Sequence, residues 1–288
     1  MRKLIFCLFV AAVAGGCGSR QPAADAFYVS ILPLRSLVVG IVDDDFPVEV
    51  LVPAGAGPET FEPTVRQFAA LNDAQLIFGT GLLEFENTLL AKVADRTKVV
   101  DLSDGVEFIA GSCSHGCKHA AAEGEHHAHG VDPHIWTSPK ALRRMAANAY
   151  AAIHERYPDS VRYTVNYRKL QAEIDRLDER VGETLADSGT AYFMIYHPAM
   201  TYYARDYGIR QIAVEQEGKE PSAKRLAALI RQARTDRVGR ILYQRQYPRS
   251  TVETIARDMG VEAVEIDPLR EDVLANIAEI TDLIAARR

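Results

Sequence analysis

Between residues 161 and 186 the chain contains no proline and a single glycine, Gly182. Its apolar residues, Val161, Val165, Leu170, Ile174, Leu177, Val181 and Leu185, recur mostly at steps of three or four, the stripe of one helix face. The positions between them are dense in Arg, Lys, Asp and Glu. A single helix of roughly 26 residues reaches about 39 Å at 1.5 Å per residue. A rigid rod of that length in mid-chain divides the remainder into an N-terminal half and a C-terminal half. It is expected to act as a strut between two lobes; the competing arrangement is a long helix lying on the surface of one domain.

Both halves read as alternating strands and helices. Ahead of the rod, β-rich runs at 27–32, 48–52, 75–78 and 98–102 are separated by helical segments at 34–42, 64–71 and 84–94, and Ser138-Pro139 opens a further helix over 140–156. Beyond it, strands at 191–196, 210–214, 240–243 and 261–266 alternate with helices at 199–207, 223–234, 250–259 and 272–286, the second of these with Ser222 as N-cap. Such alternation implies parallel sheets covered by helices. The expected fold class is therefore α/β, with two α/β lobes with parallel-type sheets joined by one long rigid helix: 27–157, the connection 158–188, and 189–288. At 288 residues and 48% hydrophobic the chain is long and apolar enough for two cores. Its formal net charge of −6 argues against nucleic acid as a partner.

The N-terminus reads as an export signal. Arg2 and Lys3 precede an apolar run at 4–13, too short for a stable membrane span, and then come Ala14-Gly15-Gly16-Cys17. Cys17 after small residues resembles a bacterial lipobox, with Ala14 where leucine is commoner; ordinary cleavage beside a stray cysteine is the alternative. On this reading residues 1–16 are a signal peptide, Cys17 carries lipid, and 17–26 is a tether that holds the mature protein outside the cytoplasm on a membrane, periplasmic or at the cell surface.

Six of the eight histidines fall within 24 residues: His115, His119, His126, His127, His129 and His134. Imidazole is the commonest protein ligand for zinc and related ions, so the density points to metal capture. Cys113 and Cys117 lie among them and fit either a small disulfide loop in an oxidising compartment or a pair of thiolate ligands. The stretch from 113 to 130 is expected to be an accessory loop that binds additional metal.

In parallel sheets, ligands bind beyond the carboxyl ends of strands. Four candidate donors occupy such positions: Glu59, His134, His197 and Asp267. Each alone has an ordinary explanation as an exposed acid, a polar strand cap or a turn starter; together, two imidazoles and two carboxylates suit Zn²⁺, Mn²⁺ or Fe²⁺.

The stretches that carry these residues are VPAGAGPETFEPT at 52–64, DPHIWTSP at 132–139, YHPAMTYYARDYG at 196–208 and EIDPL at 265–269, with EPSAKRLAALI at 220–230. The chain resembles the metal-binding extracytoplasmic substrate-binding proteins of zinc and manganese ABC importers, the cluster A-I family, over nearly all of 27–288. The resemblance implies two α/β lobes joined by a rigid helix with the metal between them, an ABC importer permease as partner, no enzymatic step, and Glu59, His134, His197 and Asp267 as ligands. A histidine-rich loop before the second ligand resembles the zinc-specific members. At the first ligand position the family usually has histidine, and this chain has Glu59, a harder and more anionic donor that favours manganese or iron. Zinc is the expected cargo, manganese or iron the alternative. A zinc-dependent hydrolase is the alternative of another class, with Glu215, Glu217 or Glu220 as base, although no His-Glu-x-x-His helix and no Gly-x-Ser-x-Gly elbow is present. An adhesin or metal-storage lipoprotein is a third.

Overall fold

A computed structural model of the chain describes residues 25–110, 130–215 and 219–286. The signal, residues 17–24 of the tether with Cys17, and Cys113, His115, Cys117, His119, His126, His127 and His129 lie outside the described residues.

The first half runs β1 (Phe27–Val29), α1 (Leu32–Val42), β2 (Val48–Val50), α2 (Val65–Asp73), β3 (Leu76–Gly79), α3 (Glu84–Leu90), β4 (Val99–Asp101) and α4 (Pro139–Arg156). Its strands form a parallel sheet in the order β2-β1-β3-β4. After α5 (Val161–Ser188) come β5 (Tyr192–Ile195), α6 (Thr201–Asp206), β6 (Arg210–Ala213), α7 (Ala223–Thr235), β7 (Arg240–Gln244), α8 (Arg249–Met259), β8 (Glu262–Ile266) and α9 (Val273–Ala285). The second sheet has the order β6-β5-β7-β8, again all parallel. The two sheets thus share one topology, in which the chain reverses direction across β1 and across β5. That reversal opens a crevice at the carboxyl ends of the strands.

Chain chemistry sets the boundaries. α1 starts at Leu32, two residues earlier than its pattern suggested, because Pro33 fits a first helical turn. α3 stops at Leu90 instead of running to residue 94, since the chain turns inward to bury Val93, bonding Val93 N–H to Leu90 O. α4 is capped by the Ser138 hydroxyl, which accepts from Ala141 N at 3.2 Å.

α5 is a single helix of 28 residues, about 42 Å long. Ser160 caps its start, and Gly189, with φ at 64°, caps its end in a left-handed conformation that glycine adopts without strain. It packs on α1 and α4 of the first half and on α9 of the second. Its early residues bond to the first half, Asn166 Nδ2 donating to Ile41 O and Tyr163 Oη to Asp45, and its later ones to the second, Arg180 pairing with Asp282 and Asp178 accepting from Tyr207 Oη. The rod therefore spans both sheets. Its buried stripe differs at one end from the sequence pattern: Val161 is 75% exposed and Val165 42%, and Tyr163 is buried in their place. Tyr163 brings more apolar area and meets Tyr157 edge-on at 6.1 Å. No helix among the described residues is long and apolar enough to cross a membrane.

Candidate metal centre

Glu59 is delivered by the loop after β2. The loop makes a tight turn at Pro58–Thr60, with Pro58 buried, and its exit is fixed by a capping box at α2. The Thr64 hydroxyl accepts from Gln67 N, the Gln67 carbonyl oxygen accepts from Thr64 N, and Gln67 Nε2 donates to Leu51 O at 2.8 Å, tying the loop's far end to its beginning. Phe61 packs edge-on against Phe85 of α3 at 5.1 Å. Gly57 is the close-approach residue: a Cβ there would stand 3.2 Å from Glu59 Oε2, close enough that the carboxylate would have to shift.

His134 precedes the short turn Ile135–Thr137 that leads into α4. Asp132, two residues before it, accepts both from the His134 main-chain N at 2.9 Å and from Nδ1 at 2.8 Å. His197 leaves the end of β5. The parallel register of β5 and β6 sets Ile195 beside Ala213, which places Glu215 beside Tyr196 and within 3.1 Å of His197 Nδ1. The two histidines are built alike: each Nδ1–H is given to a buried carboxylate, and each Nε2 is left pointing inward. A carboxylate behind an imidazole fixes the tautomer and the ring orientation and raises basicity at the other nitrogen.

The inward atoms converge. His134 Nε2 and His197 Nε2 are 3.4 Å apart, and Glu59 Oε1 is 3.6 Å from His134 Nε2. Among the described residues these three form the one group of His, Cys, Asp or Glu whose donor atoms all lie within 4.8 Å of one another. For Zn–N bonds of ≈ 2.0–2.1 Å the edge of a tetrahedron is about 3.3–3.4 Å, whereas two ligands at a right angle would stand about 2.9 Å apart. The observed nitrogen separation matches the tetrahedral edge.

The three groups shift one another's protonation. Burial penalises the charged form of His134, but the charge and hydrogen bond of Asp132, with those of Glu59, outweigh it and push its pKa up to about 9. Burial likewise opposes ionisation of Glu59, and the neighbouring His134 overcomes it, bringing the carboxyl down to about 2. Asp132 is lowered in the same way, desolvation being outweighed by His134.

Asp267 stands outside this group. It comes directly after β8, as its position after a strand implied, but its Oδ1 accepts from Leu269 N at 3.1 Å and from Gln246 Nε2 at 3.5 Å, and Arg245 lies 3.7 Å from Oδ2. It shares the crevice with the three: Gln246 also reaches across to the Gly57 turn.

A family model described as zinc-uptake complex component A, periplasmic (ZnuA), matches residues 28–284. The chain belongs to the ZnuA family. A solved structure titled as that of ZnuA superposes with a TM-score of 0.79 at 32% identity, covering 91% of this chain and 97% of the other. The zinc-binding lipoprotein AdcA of Streptococcus pneumoniae is 26% identical over 264 residues, 87% of this chain but 52% of its own. The chain spans about half the length of the AdcA relatives it matches. A putative metal-binding protein of Chlamydia muridarum is 28% identical over 99% of both chains. The periplasmic zinc-binding protein TroA of Treponema pallidum, at 20% identity and a TM-score of 0.74, shares the fold.

Within this ZnuA-family frame, three of the four donors expected from the sequence come together and the fourth stands beside them. Asp132 and Glu215, as the groups that orient the imidazoles, were not singled out. Asp132 was legible in principle, since a carboxylate two residues before a ligand can cap it locally. Glu215 was not, because only the pairing of β5 with β6 brings it near. Of the acids considered as a hydrolytic base, Glu215 is buried and committed to His197, Glu220 is exposed, and Glu217 lies outside the described residues.

Proposed function

We propose that the chain is an extracytoplasmic receptor that captures a divalent transition metal, zinc first, in the crevice between its two sheets and delivers it to an ABC-type importer. The ion is cargo, and the protein's only chemistry on it is coordination. Glu59, His134 and His197 hold it, and Asp267 is the fourth donor, exchanging its contacts with Arg245 and Gln246 for the metal. The observation that carries the reading is the convergence of two carboxylate-backed Nε2 atoms, 3.4 Å apart, with one carboxylate oxygen, the three donor atoms all within 4.8 Å of one another. That spacing, with relatives whose names say zinc-binding, favours zinc over manganese or iron. The carrier is held to a membrane by lipid on Cys17, and the histidines and cysteines of 113–130 bind further zinc weakly.

Zinc titration against a competing chelator tests the assignment. Binding energies at four-ligand zinc sites are on the order of 10–16 kcal/mol, so one ligand contributes about 3 kcal/mol and its loss weakens binding roughly 100-fold. His197→Ala and His134→Ala are each expected to show that loss. Wild-type affinity in either variant removes that histidine from the site.

A further inference from the structure

The His197 side of the centre is held by more than Glu215. Gln244, the last residue of β7, is buried, and its side-chain amide engages the main chain of His197 on both sides: Nε2 donates to His197 O at 2.7 Å and Oε1 accepts from His197 N at 3.3 Å. The placement has a reason. β5 and β7 pair through Ile195 and Leu242, and Tyr196 N still reaches Leu242 O. One residue further the backbone ladder opens, and the amide of Gln244 takes its place. His197 can therefore leave the sheet toward the crevice with both main-chain groups satisfied, and the uncharged clasp adds no charge beside the cation.

Tyr247 completes the arrangement. Its N–H closes a turn onto Gln244 O at 3.0 Å, and its ring lies nearly parallel to the His197 imidazole, centroids 5.3 Å apart and planes at 25°. Behind it the ring also meets Tyr196 at 5.1 Å. Three constraints thus meet on one imidazole: the amide fixes its main chain, the tyrosine fixes its plane, and Glu215 fixes its rotation within that plane.

We propose that Gln244 and Tyr247 are positioning residues for the His197 ligand, locking its imidazole in the coordinating pose before the metal arrives. The inference rests on the reading of Glu59, His134 and His197 as the metal centre. A ring that is already fixed loses little freedom on binding, whereas a ring free to swing must be ordered at the metal's expense. Supporting groups behind a ligand commonly contribute 10–100-fold in metal affinity. Tyr247 also occupies one face of the imidazole, limiting how far it can turn to meet a larger coordination sphere.

The test is zinc titration against a competing chelator together with the visible absorption of the Co²⁺-loaded protein, whose intensity and position report coordination geometry. Wild type, Tyr247→Ala, Tyr247→Phe and Gln244→Leu are compared, and thermal unfolding of each metal-free protein checks that it is folded. Tyr247→Ala is expected to weaken zinc binding roughly 10–100-fold and to alter the cobalt spectrum while the metal-free protein still unfolds cooperatively. Tyr247→Phe, which keeps the ring, recovers the affinity and the spectrum. Gln244→Leu, where it folds, behaves like Tyr247→Ala. Wild-type affinity and an unchanged cobalt spectrum in Tyr247→Ala overturn the proposal, as does a Tyr247→Phe variant as impaired as the alanine. A wild-type protein that binds neither ion overturns the metal-centre reading itself, and a His197→Ala variant that binds as wild type does removes His197 while leaving other ligands in play.

Discussion

Each histidine at the site has a carboxylate behind it, Asp132 for His134 and Glu215 for His197, and for His134 the pairing has a pH signature. His134 has its pKa raised from 6.5 to about 9, Asp132 and Glu59 outweighing burial. Metal can bind only after that proton leaves. Zinc affinity is therefore expected to rise about tenfold per pH unit between pH 7 and about 9, with close to one proton released per ion, and to flatten above. The unperturbed histidine pKa near 6.5 would instead place the fall below neutral pH. Calorimetry in buffers of different ionisation enthalpy measures the proton count; a count near zero at pH 7.5 contradicts the account. For the metal-free fold the sign is the opposite: the stability gained from protonated His134 is fully present below pH 6.5 and is lost as pH rises through about 9. A second prediction concerns Glu59, whose side chain is one-third exposed. Glu59→Gln keeps the shape and removes the charge, so zinc binding weakens by at least tenfold and His134 loses one of the groups that raise its pKa. An unchanged zinc affinity in a chelator competition shows that the carboxylate is not needed. Of these residues the sequence made the donors legible, because His and Glu after strand ends are visible as such. It marked Glu215 only as a candidate base and left Gln244 and Tyr247 unmarked, because a buried acid, amide or tyrosine that supports a histidine has no spacing signature until strands are paired.

At the level of elements, α5 is the piece that both halves lean on. Ile174, 1% exposed at the middle of its buried stripe, lies on the face that packs between the α1–α4 side and α9. Ile174→Ala is expected to cost about 2–5 kcal/mol of folding stability, read as a lowered midpoint in urea unfolding with an unchanged slope. A cost below about 1 kcal/mol means the helix is not a core shared by the two halves. The rod was readable from its lack of breakers and its spacing of apolar residues, and Ser160 and Gly189 mark its ends as caps. Its first turn was not, because a valine and a tyrosine are both acceptable on a buried face. Packing against Tyr157 and the bond from Tyr163 to Asp45 decide for the tyrosine.

Across the whole molecule the two sheets meet at the site through groups from opposite halves. Trp136 Nε1 donates to Pro268 O at 3.1 Å, Tyr202 Oη donates to Asp132 O at 2.7 Å, and Ser138 bonds Asp206. Trp136 lies two residues after His134, Pro268 directly after Asp267, and Asp132 is the support of His134, so the contacts that join the halves are the contacts that place the ligands. Such a crevice is set by many small bonds, and a cation at its centre adds donors from both sides to the same seam. The two-lobed α/β architecture was readable from strand–helix alternation around the rod, and the closeness of Glu59, His134 and His197 was expected through the family resemblance; the separate engagement of Asp267 was not, since it depends on how the halves dock.

Glu59, His134 and His197 are proposed to hold the captured ion. Anomalous diffraction at the zinc edge from crystals of protein loaded with one equivalent of zinc tests that proposal most directly. One dominant peak is expected ≈ 2.0–2.1 Å from Nε2 of both His134 and His197 and within bonding distance of a Glu59 oxygen. A dominant peak elsewhere, with these three side chains left as they are, contradicts it.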